Sequence, residues 1–407
     1  MAERAGWRQQ AESLGFRFHS IGGTPYWDES AHYRFTLEEI ERDIEAPTQE
    51  LHELCMDLVA RALGNEDYLR RLAIPETYWD YLRNSWSRGD PHLYGRMDFA
   101  YSGRVDGRGP CSLQGPCSLQ GPAKLYELNY DTPTSLYEAA VFQWIWLQDS
   151  IQQGAVPQSA DQYNSLQERL LGAFQYFAPR IPGLMHFASV RESEEDRATV
   201  EYLQDLATQA GIQTRHLAIE DIGVSTDGRF TDREDRVIET IFKLYPWEFM
   251  LAEEFAPHLP TCGATWIEPS WKLILSNKGA LALLWELHPG HPNLLPTFFE
   301  AAPASVPGAA ATLEALPSGW VRKPLFSREG ANVEVMTDRG EHLEAPGPYT
   351  DFPYVRQEYH ALPRFADSYT LIGSWVIGDQ PAGIGIREDD SLITRDTARF
   401  VPHIVVE

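Results

Sequence analysis

The sequence predicts a mixed α+β and α/β chain, and three observations carry that expectation. Two short stretches, LYGRMDFAY from Leu93 to Tyr101 and KLYELNY from Lys124 to Tyr130, alternate side chains with the period of a strand. Residues 1 to 90 instead read as mostly helical, and a later region sets an apolar run, a helical stretch and a second apolar run in the order of a βαβ unit.

Taken in order, the helical region begins with Thr36, Glu38 and Glu39, the chemistry of a helix start, and continues through Leu51, Leu54, Cys55, Leu58 and Val59 until Gly64. Tyr78, Trp79, Tyr81, Leu82 and Trp86 follow at helical spacing, which makes them core rather than a ligand box. In the first strand Tyr94, Arg96 and Asp98 share one face. In the second, Leu125, Glu127 and Asn129 share one face and Tyr126, Leu128 and Tyr130 the other. Paired as an antiparallel ladder, the strands gather Arg96, Asp98, Glu127 and Asn129 in one patch. Two carboxylates and an amide oxygen suit an octahedral magnesium site that shares phosphate oxygens, with Arg96 as a fixed charge beside it. The alternative is two exposed sheet faces joined by a surface salt bridge.

The turn Asp131, Thr132, Pro133, Thr134, Ser135 supplies a helix start, with Thr132 ahead of Pro133 or Ser135 three before Glu138 as the cap. Its helix should bury Leu136, Ala139, Ala140, Gln143, Trp144 and Leu147. Between the two strands the hexapeptide CSLQGP occurs at 111–116 and again at 117–122, a Gly- and Pro-rich loop insertion. The βαβ unit comprises Leu184 to Val190, Glu194 to Gln209 and Thr214 to Ile219, and ends in a hairpin near Thr226, Asp227 and Gly228. No GxGxxG follows its first strand, so a dinucleotide reading fails. Lys278 opens a strong helix six residues after Lys272, and Ala302 to Ala315 reads as a linker or short helix. Val321, Lys323 and Leu325 alternate, SREGAN turns, and Val333 to Met336 returns. Gln357 and Glu358 lie in a further strand, and Thr370 to Arg387 forms a hairpin ending in an arginine.

Composition narrows the partners. A chain of 407 residues has 34 basic and 59 acidic side chains, a net charge of −25, which argues against nucleic acid or an anionic membrane and favours a cationic ligand or simply solubility. Cys55, Cys111, Cys117 and Cys262 show no CxxC or zinc spacing and read as reduced thiols. There is no signal layout at the start and no apolar run near the ~18 residues of a membrane span, so a cytoplasmic protein is expected.

GRMDF, LYELNYDTPTSLYEAA, EPSWKLILSNKGALALLWE, VRKPLFSREGANVEV and GIGIREDDSLI, in that order, resemble the synthetase part of the glutathionylspermidine synthase family, from about Tyr94 to the C-terminus. The resemblance implies ATP-grasp-like antiparallel sheets beside a helical N-terminal region and a small Rossmann-like lobe. It divides the chain at 1–180 (helical region and metal-binding strands), 181–235 (Rossmann-like lobe) and 236–407 (nucleotide-binding lobes). No GxxxxGK[ST] is present. The resemblance implies instead that Lys278, Lys323 and the loop with Ser327 and Gly330 hold ATP, and that Gln357 and Glu358 face adenine and ribose unless they are ordinary edge-strand residues. It assigns Mg2+ to Asp98, Glu127 and Asn129. It places Arg96 and Arg387 at the transferred phosphate, Arg387 having a surface ion pair with Asp389 or Asp390 as its alternative, and it assigns substrate contact to Asp131 and Ser135. Because the metal-binding residues precede the lysines, the order matches a permuted ATP-grasp arrangement.

The activity implied is ATP-dependent joining of a glutathione-like peptide carboxylate to a polyamine-like amine through an acyl phosphate, with ADP and phosphate released. A former ligase that binds nucleotide or peptide without activity, and a kinase stopping at the phosphate, are the alternatives. Retention of the matched charged residues favours the ligase over the first of these. The chain has no room for the Cys- and His-dependent amidase domain of bifunctional members, so product hydrolysis is not expected.

Overall fold

The computed structural model describes residues 3–103, 121–300, 316 and 318–407. Both copies of the hexapeptide up to residue 120, Cys111 and Cys117, and the 302–315 stretch lie outside them. The N-terminal 35 residues are less helical than expected. They give one helix, α1 (Trp7–Ser13), then short extended segments ending in β1 (Tyr33–Thr36). Helical structure resumes at Leu37, where the Thr36 hydroxyl accepts from the Glu39 amide (3.2 Å) and the Glu39 carboxylate accepts from the Thr36 amide (2.9 Å). It continues into α2 (Ala46–Leu63), whose buried Leu51, Cys55, Leu58, Val59 and Ala62 form a stripe at helical spacing. The aromatic cluster around α3 (Trp79–Arg88) packs into the same core.

The first sheet is antiparallel. It contains β2 (Tyr94–Ala100) and β3 (Lys124–Asn129), separated in sequence from its other members. The strand alternation holds along β2, where Met97 and Phe99 face the core, but β3 carries a bulge. Asp98 pairs with Glu127 while Phe99 pairs with Leu125, so Tyr126 has no partner opposite it. Leu125 therefore turns into the core with Leu128 instead of sharing a face with Glu127. The helix after β3 also departs from expectation. Neither candidate cap is made: Ser135 adopts φ +66° with its hydroxyl 3.3 Å from that of Tyr26, and the Thr132 hydroxyl receives Arg328. A wide turn at Glu138–Phe142 precedes α4 (Gln143–Gln152) and rotates the apolar stripe. Trp146 is buried and Trp144 is 44% exposed.

A second, parallel sheet is built from β4 (Leu184–Ser189), α5 (Glu194–Gln209), β5 (Gln213–Ala218), β6 (Thr240–Leu244) and β7 (Thr265–Ile267), in the order β7-β6-β4-β5. The sheet thus takes in two strands beyond residue 235. From β4 the chain passes to β5 on one side and then to β6 on the other, so the strand order reverses at the carboxyl ends of β4 and β6. That is where open α/β sheets leave a crevice for ligands. A helix, α6 (Gly279–Leu287), leads to the third sheet, β8 (Thr297–Phe299), β9 (Trp320–Pro324), β10 (Glu334–Met336), β11 (His342–Glu344) and β12 (Tyr354–Glu358). It is antiparallel, in the order β8-β12-β9-β10-β11.

The long hairpin β13 (Ser368–Ile377) and β14 (Gln380–Asp389), with β15 (Arg399–Val401), completes the first sheet as β15-β14-β13-β2-β3. The last strand, β16 (His403–Val406), pairs in parallel with β1. Trp27, Trp146, Phe187, Trp375 and Phe400 lie in a second core cluster.

Candidate active site

The ladder between β2 and β3 sets Arg96 opposite Asn129 and Asp98 opposite Glu127, which assembles the patch that strand alternation implies. Arg96 grips Asp98 through Nε (2.7 Å) and Nη2 (3.0 Å) and donates Nη1 to the Thr134 carbonyl (2.6 Å). Room for this guanidinium comes from Gly373 on β13, directly opposite Asp98, where a Cβ would lie 2.8 Å from Arg96 Cδ. Arg387 Nη2 reaches the same carboxylate at 2.8 Å, and the Asn129 amide nitrogen donates to it at 3.1 Å. Burial opposes ionisation of Asp98, but Arg96 and Arg387 outweigh it and hold the carboxyl below its ordinary range. Arg387 therefore belongs to this patch. Asp389 and Asp390 pair with Arg395 instead.

The two lysines converge on the neighbouring residues. Lys278 Nζ, at the start of α6, lies 2.8 Å from Glu127 Oε1 and donates to the Ser327 carbonyl at 2.7 Å. Lys323 on β9 donates to Gln357 Oε1 (2.9 Å) and to the Tyr126 carbonyl (3.0 Å). Burial brings the Lys323 ammonium down to about 8. A cleft between the first and third sheets is lined by Tyr126, Lys323, Val333, Gln357, Glu358 and Ile393, apolar in its walls with a few polar groups. Gly330 turns the loop at its mouth with φ +73°, and a Cβ there would meet Ile393 Cγ2 at 2.6 Å. Glu329 and Asn332 beside it are also left-handed.

A third wall went unread in the sequence. The polar cavity around Arg96 and Arg387 also exposes Tyr26, Glu195, Glu248 and Arg328. Tyr26 donates to Glu138 (2.6 Å), a fully buried carboxylate raised by burial. Glu195, in the first turn of α5, is pushed up to about 8, first by burial and then by Glu138, Asp196 and Glu329. Glu195 and Glu248 follow β4 and β6, the strands at the reversal of sheet order. Arg328 sits inside the SREGAN loop and touches Thr132. Its charge next to Ser327 was the available signal, whereas Tyr26, in a segment of no clear period, offered none.

Ser135 lines the cavity, but Asp131 does not. Asp131 Oδ1 is ion-paired with Lys243 Nζ and its Oδ2 accepts from the Trp247 amide at 2.8 Å, both side chains being fully buried. The assignment of substrate contact to Asp131 is corrected accordingly: its charge is spent inside the protein. Glu268 is another buried brace. It accepts from the Leu93 and Tyr94 amides (3.0 Å each) and so fixes the start of β2.

Among the described residues no group of three or more His, Cys, Asp or Glu side chains is arranged to hold a metal ion. The patch offers a different donor set, two carboxylates facing each other across a ladder and one amide. With its nitrogen turned to Asp98, Asn129 keeps its carbonyl oxygen as an acceptor. All-oxygen donors with space for water and phosphate suit Mg2+, so the residues fit that ion.

Two antiparallel sheets enclosing paired lysines, a glycine loop and an acidic patch, beside a small parallel lobe, define an ATP-grasp-type ligase fold. A solved structure agrees: a glutathione synthetase-like effector from Globodera pallida, in its apo form, superposes with a TM-score of 0.56 at 11% identity, covering all of this chain and 98% of that one. The chain belongs to the glutathionylspermidine synthase family, whose preATP-grasp description it matches over residues 1–406. It is 38% identical over 410 residues to the Haemophilus influenzae protein named "Putative acid--amine ligase", covering 98% of this chain and 96% of that protein. It is 27% identical to the trypanothione synthetase of Crithidia fasciculata, covering 85% of this chain but 52% of that enzyme. With the bifunctional glutathionylspermidine synthetase/amidase of Escherichia coli it shares 25% identity over 98% of its own length and 64% of the enzyme's. Membership makes the chain an amide-forming ligase of the glutathionylspermidine synthase type. No described helix is long and apolar enough to cross a membrane.

Proposed function

We propose that the chain uses ATP to join the carboxylate of a glutathione-like peptide to a polyamine-like amine through an acyl phosphate. The observation that carries this reading is the junction of two clefts at Asp98 and Glu127. Lys323 lines one cleft, Lys278 holds Glu127 at the junction, and Arg96 and Arg387 line the other cleft.

ATP enters the cleft between the first and third sheets, with its phosphates toward Lys278, Lys323 and the amides around Gly330 and its base toward Gln357 and Glu358. Asp98, Glu127 and Asn129 would hold Mg2+, which would supply positive charge to the phosphates. Arg96 and Arg387 bind the peptide carboxylate and the phosphoryl group, so that charge spreading over its oxygens meets fixed donors. The carboxylate oxygen bonds to the γ-phosphorus as the bond to ADP breaks. The amine then attacks the acyl carbon and phosphate leaves with the C–O electron pair.

The amine must first give up a proton. Glu195, pushed up to about 8 and placed on the acidic wall, supports the role of acceptor at its carboxylate oxygen in its ionised form, the fraction of which grows as pH rises toward 8. Ser135 and Arg328 complete the peptide side. The test is amine-dependent ADP formation across a panel of peptides and polyamines, repeated with Glu127→Gln. Turnover should require carboxylate and amine together and fall on the order of 10²-fold or more in the variant, with its melting temperature unchanged. ADP formation without an amine, or full turnover in the variant, would refute the reading.

A further inference from the structure

We propose that a second cavity, at the edge of the small parallel sheet, binds a small phosphate-bearing anion. The cavity measures about 330 Å³, within the range of small-ligand sites, and lies beside the carboxyl ends of β4 and β5. Arg191, Arg197, Arg215 and Arg233 all line it, in a chain whose acidic residues outnumber its basic ones by 59 to 34. Such a concentration runs against the field of the whole molecule.

Each of these guanidiniums has a carboxylate partner, Glu201 at 2.7 Å in the case of Arg197, but none is filled by it. Asp232 accepts from the Glu234 (2.9 Å) and Arg236 (3.0 Å) amides, faces the buried His186 at 3.4 Å, and lies 3.3 Å from the Arg236 guanidinium and 3.7 Å from that of Arg215. Asp221 contacts Arg191 at 2.6 Å and Arg233 at 3.6 Å, and Glu234 contacts Arg215 at 2.6 Å. Each guanidinium presents five N–H donors, of which these pairs occupy one or two. The floor is polar: Ser189, 1% exposed, has its hydroxyl 3.3 Å from His216 Nε2. Burial, and then Arg197, lowers the His216 imidazole, so it is neutral until an incoming anion raises its proton affinity.

Several guanidiniums lining one cavity with a hydroxyl and an imidazole match the oxygens of a phosphate better than a single planar carboxylate. The net charge of −25 repels a long polyanion, which restricts the ligand to a small one. The cavity is separate from the catalytic cleft. Arg191, just before α5, and Arg197, near its start, line it, while Glu195 between them lines the catalytic cavity.

The test uses the full chain with Mg2+ and a non-hydrolysable ATP analogue saturating the catalytic cleft, and inorganic phosphate as the probe. The His216 ring C–H resonance, assigned by its loss in His216→Gln, should move saturably with phosphate and not with chloride at equal ionic strength. Its pKa should rise by half a unit or more. In an Arg191→Gln/Arg215→Gln double variant the phosphate dissociation constant should weaken at least tenfold. If that variant fails to fold, Arg233→Gln, whose side chain is 71% exposed, should weaken binding at least threefold. Equal shifts with phosphate and chloride, or variants that bind phosphate as the parent does, would overturn the proposal and leave a set of surface ion pairs.

Discussion

Replacing Asp131 by alanine strands the Lys243 ammonium in a position where neither side chain has any exposed surface. Removing one partner of such a pair costs about 3–5 kcal/mol, and the Trp247 amide loses its acceptor as well. With an unfolding entropy of about 2.1 cal/mol/K per residue over 407 residues, that loss corresponds to a fall of roughly 3.5–6 °C in melting temperature. Calorimetry of parent and variant measures it directly. Adding Lys243→Met removes the orphaned charge and should restore at least half of the loss, since apolar replacement of a buried pair is often neutral. The Michaelis constants of the folded variant should stay close to those of the parent. An Asp131→Ala protein that melts within 1 °C of the parent but needs far more carboxylate substrate would show that Asp131 reaches the ligand, and the structural argument would fail.

Other expectations bear on the cleft. Lys323, which burial brings down to about 8, attracts phosphate only as its ammonium, so kcat/KM for ATP should fall up to about tenfold per pH unit above pH 8. Lys323→Arg should move that limb upward; a flat profile to pH 9.5 would refute the assignment. For stability the sign is reversed. The unfolded lysine titrates near 10.4, so between about 8 and 10.4 the unfolded chain holds more protons and this group's contribution to stability rises with pH. Amides of Ser327 to Asn332 should exchange at least tenfold more slowly with an ATP analogue and Mg2+, and equal protection in hydrogen-exchange measurements would count against a phosphate-clasping loop. If the amine is a polycation steered by the net charge of −25, its KM should rise between 0.01 and 0.15 M salt, as the Debye length shrinks from about 30 to about 8 Å. A salt-independent KM would assign the acidity to solubility.

Strand alternation was enough to bring Arg96, Asp98, Glu127 and Asn129 together, because side-chain direction in a strand is set by local geometry. What it could not reveal was the bulge opposite Asp98, since a single extra residue leaves the apolar composition of β3 unchanged while turning Leu125 inward. The helix after it misled for a similar reason: one wide turn exchanged Trp144 for Trp146 as the buried ring. Asp131, given substrate contact by the family resemblance, stands in a polar turn beside the patch, and nothing in that turn speaks against the assignment. Its partner, Lys243, lies 112 residues away on the parallel sheet, and no local signal announces it. Tyr26, Glu195 and Glu248 share that difficulty. Each is brought to the cleft by a different element, and only the packing of the lobes makes them neighbours.

The first sheet joins strands from opposite halves of the chain, and this sets an order in time as well as in space. Arg96 can grip Asp98 as soon as β2 is made, but Arg387, the second cation on that carboxylate, is synthesised 289 residues later. At about 5–20 residues per second the ribosome takes roughly 15–60 s to cover that distance. Throughout it β2 has one long flank with no β13 to cover it, and the non-local pairing that closes the sheet is of the slow kind. Of the side chains that donate to Asp98, Arg96 and Asn129 are thus made early and Arg387 late, so the carboxylate gains its last cation only when the sheet closes.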